Sequence, residues 1–221
     1  VGTQALNSFD RILIGILGSP EKVTSYALTK AILFRIGEAT VTIIGSITAG
    51  VGDLISRNEL HKIMTLRKLV IRFSLITGLS LAAYFASFNE FFVTLWVDST
   101  NYAGNDLTII LCIALVFLVL SMAEEIFINA MLFFKSKSNL VLQSALIAIV
   151  FSLVFYSRFE YYAIAAALVI SKLYQLVRYS IKLNNSFPVK ANAILKENSN
   201  VILIVLYAVL FITIKKNIQI E

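Results

Sequence analysis

The sequence predicts an all-α integral membrane protein, a bundle of about seven transmembrane helices. Three observations predict it. Of 221 residues, 58% are hydrophobic and only 14% charged, whereas soluble domains run about 45–50% apolar and about 25% charged. Proline occurs only twice, so long apolar runs go unbroken. Most of those runs approach about 20 residues, the length that crosses about 30 Å of hydrocarbon.

Taken in order, the first run covers about residues 1–18 and carries Asn7, Asp10 and Arg11. A Gly-Ser-Pro turn leads to the second, about 24–50, which contains Lys30, Arg35 and Glu38. Residues 51–66 place Val51, Leu54, Ile55, Ile63 and Met64 roughly on one helical face, with Arg57, Glu59 and Lys62 off it. That pattern fits a helix lying in the membrane plane or an extension beyond the membrane. The third span is about 68–87. The connection at 88–106 holds Glu90, Asp98 and Asp106 without any Lys or Arg, and its Phe91, Phe92, Trp96 and Tyr102 suit a membrane interface. The fourth span, about 107–134, carries Glu124 and Glu125. Lys135 and Lys137 turn the chain into the fifth, about 139–157, and residues 157–160 connect tightly to the sixth, about 161–181. A polar linker, about 182–199, precedes a last short span, about 200–214, closed by Lys215 and Lys216. The chain opens on Val inside a broken apolar run, without a signal-peptide pattern. A preceding segment is therefore expected.

Orientation follows from the basic residues. Twelve lie in or beside the loops after the second, fourth and sixth spans, and four on the opposite side. Arg11, Lys30 and Arg35 fall within spans. The positive-inside rule then puts the even-numbered loops and the N-terminus in the cytoplasm and the C-terminus outside. The net charge of +6 is accounted for by this loop bias, with no need of nucleic acid. Cys112 sits in an apolar run and reads as a core residue, and His61 in a basic segment reads as a surface residue.

Charges within spans are costly and face protein or a water-filled cavity. Asp10-Arg11 is one such pair. Arg35 and Glu38, three apart, share a helical face. Two readings stay open for each pair: an ion pair that only holds helices together, or part of a hydrated cavity whose cations hold an anion such as a diphosphate. The planar guanidinium suits phosphate oxygens. Lys30 reads either as a third cavity cation or as a side chain reaching the outer interface. Glu124 and Glu125 point about 100° apart on their helix. One suits a coupling cation or proton and the other a basic partner, with simple solvation near the helix end as the alternative. Neither a Cys/His cluster, a phosphate-binding glycine loop nor a nucleophile elbow occurs. No enzyme, cofactor or metal is expected.

Two patches carry a family resemblance. Asp10-Arg11-Ile-Leu-Ile-Gly-Ile-Leu-Gly18, followed by Val23-Thr-Ser-Tyr26-Ala-Leu-Thr-Lys30, is similar to the hairpin that opens the second lobe of certain exporters. Glu90-Phe-Phe-Val-Thr-Leu-Trp96-Val97 with Tyr102-Ala103 resembles the segment after the third helix of that lobe, with Asp98 where a glycine is usual. The chain thus resembles the C-terminal half of a polysaccharide (O-antigen or capsule type) flippase of the multidrug/oligosaccharidyl-lipid/polysaccharide exporter superfamily. The resemblance implies a six-helix transporter lobe over 1–183, with a linker and an extra transmembrane helix over 184–221. It implies two lobes facing one cavity, with an N-terminal lobe missing here or a second copy in its place. It implies export of a lipid-linked oligosaccharide, a polyprenyl diphosphate, across the cytoplasmic membrane by alternating access. Arg11, Lys30 and Arg35 would line a cationic cavity, with Asp10, Glu38, Glu124 and Glu125 supporting or coupling to an ion. The competing expectations are a membrane enzyme of glycan assembly, a cation-coupled drug antiporter of the same superfamily, and a non-transporting scaffold.

Overall fold

Helix accounts for the regular structure in the computed structural model, which describes residues 9–187. The helices are α1 (Phe9–Leu17), α2 (Pro20–Gly45), α3 (Thr48–Ser56), α4 (Leu60–Trp96), α5 (Asn105–Ala130), α6 (Phe134–Phe159) and α7 (Tyr161–Asn184), with a single 3-10 turn at Ser99–Asn101. No strand occurs among the described residues. Five stretches are long and apolar enough to cross a membrane: Pro20–Ser56, Leu60–Trp96, Asn105–Ala130, Phe134–Phe159 and Tyr161–Asn184. Of the other two expected spans, the first is represented by the nine residues of α1. The last, at 200–214, lies outside the described residues.

Local chemistry sets the boundaries. Pro20 opens α2, where its fixed φ is already helical and its missing N–H is not needed. The chain enters α5 through Gly104 at φ 99, a left-handed geometry that glycine adopts without a Cβ clash. Glu160 turns α6 into α7 at φ 49. The segment 51–66 is not one continuous helix. Its first part ends the α2–α3 stretch, residues 57–59 turn, and its second part begins α4.

The third span is also longer than hydropathy suggests. It was expected at 68–87 but runs from Leu60 to Trp96, and the connection expected at 88–106 shrinks to 97–104. The cause is a buried stripe at Ile63, Arg67, Val70, Ser74, Gly78, Phe85, Asn89 and Val93, which keeps helical spacing through the polar and aromatic ends. At about 1.5 Å per residue, a 37-residue helix is about 55 Å long. That exceeds the hydrocarbon of a bilayer by roughly 25 Å.

The most apolar helix is the central one. α5 packs against α2, α3, α4 and α7, while α6 packs chiefly on α7. A helix hydrophobic all round belongs in an interior. The core runs along it through Leu107, Leu111, Leu115, Leu118 and Val119. Gly37 of α2 lets that helix come close: a Cβ there would stand 2.4 Å from Leu115 Cδ1. α6 turns Leu142, Leu146, Val150, Leu153 and Val154 outward.

Candidate functional site

Buried polar side chains form two clasps on α5. At one end, Asn89 Nδ2 donates to the Thr29 carbonyl (3.0 Å) and to Thr108 Oγ1 (3.2 Å). The Ala103 N–H donates to Thr29 Oγ1 (3.0 Å), and the Tyr102 hydroxyl meets Thr108 Oγ1 at 2.8 Å. Burial pushes the Tyr102 phenol up to about 12. At the other end, Arg67 Nε and Nη2 donate to the two oxygens of Glu124 at 2.8 and 2.7 Å. Arg67 Nη1 donates to Asn184 Oδ1 (2.8 Å) and to the Phe187 carbonyl, and Ser180 Oγ donates to Glu124 Oε1 (2.7 Å). Thr108 and Glu124 are 16 residues apart, about 24 Å along the helix, and the residues buried between them are nearly all apolar.

Arg67 is the residue that loop counting misses. By sequence it is one of the twelve basic residues in or beside the loops after the even-numbered spans, yet its side chain is 1% exposed. The signal was its spacing, three, seven and eleven residues before Val70, Ser74 and Gly78 on the same face. Glu124 is buried in this pair. Glu125 points elsewhere, as the 100° rule requires, and meets Lys137 Nζ at 2.5 Å. Lys137 also donates to Asn129 Oδ1 at 3.0 Å.

Lys30 does not reach the outer interface. It is buried, with Nζ 2.5 Å from Asp10 Oδ2, and it stands 4.6 Å from the Phe34 ring centroid. Among the described residues, Asp10 Oδ1 has no hydrogen-bond partner. This pair joins α1 to α2. Arg11 is also on α1, but its side chain lies outside the described part of the structure.

Arg35 is on the other side of α2. Five residues separate it from Lys30, about 140° around the helix. Its side chain is 81% exposed and meets, among the described residues, the 58% exposed Glu38 at 3.4 Å. Arg35 and Lys30 therefore do not converge within this chain. Arg35 instead heads an exposed stripe at helical spacing: Glu38, Ala39, Thr42, Ser46, Ala49 and Asp53. Thr42 and Ser46 return their hydroxyls to the helix's own carbonyls. The opposite face of the same stretch buries Tyr26, Leu33, Gly37, Ile44 and Val51. The stripe is polar or small throughout, unlike the outer face of α6, where Leu142, Leu146, Val150, Leu153 and Val154 predominate and Gln143 is the exposed polar residue among them. Charged side chains within such a segment are unfavourable against lipid and stable against water or protein.

No family model, curated protein or solved structure matches this chain.

Proposed function

We propose that the chain is one half of an exporter that moves a polyprenyl-diphosphate-linked oligosaccharide across the cytoplasmic membrane by alternating access, for cell-surface polysaccharide biosynthesis. The observation that carries the reading is the polar stripe on α2 and α3, with Arg35 and Glu38 exposed well inside a 37-residue stretch long enough to span the bilayer. A second lobe, or a second copy of the chain, would close a water-filled cavity over this stripe. Arg35 would present its planar fork to the diphosphate, and Glu38 would hold the guanidinium in place between substrates. Arg11 would be the second cavity cation. Asp10 and Lys30 would pin α1 to α2 and hold the cavity wall in shape. The end rich in basic residues would face the cytoplasm.

The test uses the full-length gene in its host. Arg35 and Arg11 are each replaced by Ala and by Lys, membrane levels are measured, and surface polysaccharide is quantified. The reading expects loss of polysaccharide for Arg35→Ala at normal protein levels, with partial recovery for Arg35→Lys. Normal polysaccharide from every variant contradicts it.

A further inference from the structure

The turn between α5 and α6 forms a cavity of about 440 Å³ lined by Leu132, Phe133, Lys135, Ser136 and Asn139. Three of the five present hydrogen-bond donors, and no carboxylate is among them. Lys182 of α7 reaches the same place, its Nζ 4.7 Å from the Phe133 ring centroid. Arg178, one turn earlier on α7, is exposed. The nearby acid on α5, Glu125, is taken by Lys137, and Glu124 by Arg67. The cavity thus keeps the positive charge of Lys135 and Lys182.

Its surroundings are apolar on one side only. Leu142, Leu146 and Leu153 are exposed on α6 and share the helical face of Lys135 and Asn139, so an apolar stripe runs away from the cavity along that helix. A ligand that fits both parts has an anionic head and a hydrocarbon tail. Basic pockets between membrane helices hold lipid head groups in this way. We infer that the cavity at the α5–α6 turn binds the phosphate of an anionic phospholipid, with Lys135 and Lys182 as cationic partners, Ser136 and Asn139 as donors, and the acyl chains along Leu142, Leu146 and Leu153. This inference is independent of the transported substrate.

The test is native mass spectrometry of the full chain, released from micelles containing equal amounts of phosphatidylglycerol and phosphatidylcholine. The wild type is expected to retain one phosphatidylglycerol in preference to phosphatidylcholine. The double variant Lys135→Gln/Lys182→Gln is expected to bind it roughly thirtyfold more weakly, since each basic residue near an anionic surface contributes about a factor of five. Arg57→Gln/Lys62→Gln, which removes the same charge from the same end, is expected to bind like the wild type. All four side chains are exposed, and the charge-state distribution of each variant reports whether it is folded. Equal retention of the two lipids by the wild type overturns the proposal, as does undiminished binding by the Lys135/Lys182 variant. Displacement of the lipid by millimolar inorganic phosphate makes this a soluble-anion site and overturns the lipid assignment. Preference for a polyprenyl phosphate over phosphatidylglycerol overturns the choice of lipid.

Discussion

Arg67 and Glu124 form a two-bond ion pair, at 2.8 and 2.7 Å, between helices α4 and α5, and both side chains are almost fully buried. Asn184, Phe187 and Ser180 complete their hydrogen bonding from α7 and the chain after it. One guanidinium therefore fixes three helices at one level. Removing either partner leaves an uncompensated buried charge, at a cost of about 3–5 kcal/mol. Arg67→Met and Glu124→Leu are each expected to lower the apparent melting temperature in detergent sharply. The double variant should recover most of the loss, because an apolar pair of similar volume is tolerated. Single variants that melt like the wild type would remove this pair from the account.

The Asp10–Lys30 pair separates a packing role from a substrate role. Lys30→Met strands a buried carboxylate, and Asp10→Asn leaves a buried ammonium without its counter-charge. Each single change should reduce folded protein in the membrane several-fold. The double variant Asp10→Asn/Lys30→Met should restore folded protein, as measured by fluorescence-detected size exclusion. If it also restores surface polysaccharide, the pair only holds α1 to α2. Folded protein without transport would return Lys30 to the cavity.

Gly37 and Leu115 mark where α2 and α5 approach. Gly37→Ala pushes Cβ into Leu115 Cδ1, and overpacking of this kind costs about 1–3 kcal/mol. Leu115→Ala alone leaves a void and costs about 2–5 kcal/mol. The two together should cost less than the sum of their separate effects. Thermal melts of the four proteins give the coupling, and strict additivity would mean that the helices do not touch there.

Glu160 sits at φ 49 and ψ −133, a conformation unfavourable for a residue with a Cβ. Glu160→Gly should relieve it and stabilise the chain by about 1 kcal/mol. The exposed ion pair to Lys22 at 2.6 Å is lost in that variant, but surface pairs contribute little. A lower melting temperature for Glu160→Gly would show that the ion pair outweighs the backbone.

Hydropathy made most of the helices legible, because an apolar run of about 20 residues has few other uses. Helical spacing made the Arg35–Glu38 pair legible as well. The full length of α4 was not legible by hydropathy. Its ends carry Arg67, Asn89 and Trp96, residue types that resemble loops and interfaces, and only the buried periodicity shows that the helix continues. The partner of Lys30 was hidden for another reason. Asp10 lies 20 residues away, across a hairpin whose helix rotation no local pattern fixes. Arg67 reads by sequence as a charge beside a loop, because its partners Glu124, Asn184 and Phe187 come from distant parts of the chain.

The central claim is that the outer face of α2 meets water while the outer face of α6 meets lipid. Thiol labelling in intact membranes tests it most directly. In a background with Cys112→Ala, single cysteines are placed at Arg35, Thr42 and Ser46 on α2 and at Leu146 and Val150 on α6, and a charged methanethiosulfonate is applied from each side. The account predicts rapid labelling at the three α2 positions, from at least one side, and none at the two α6 positions. Equal protection of both sets would show that the polar stripe is packed against protein or lipid, and would contradict the cavity.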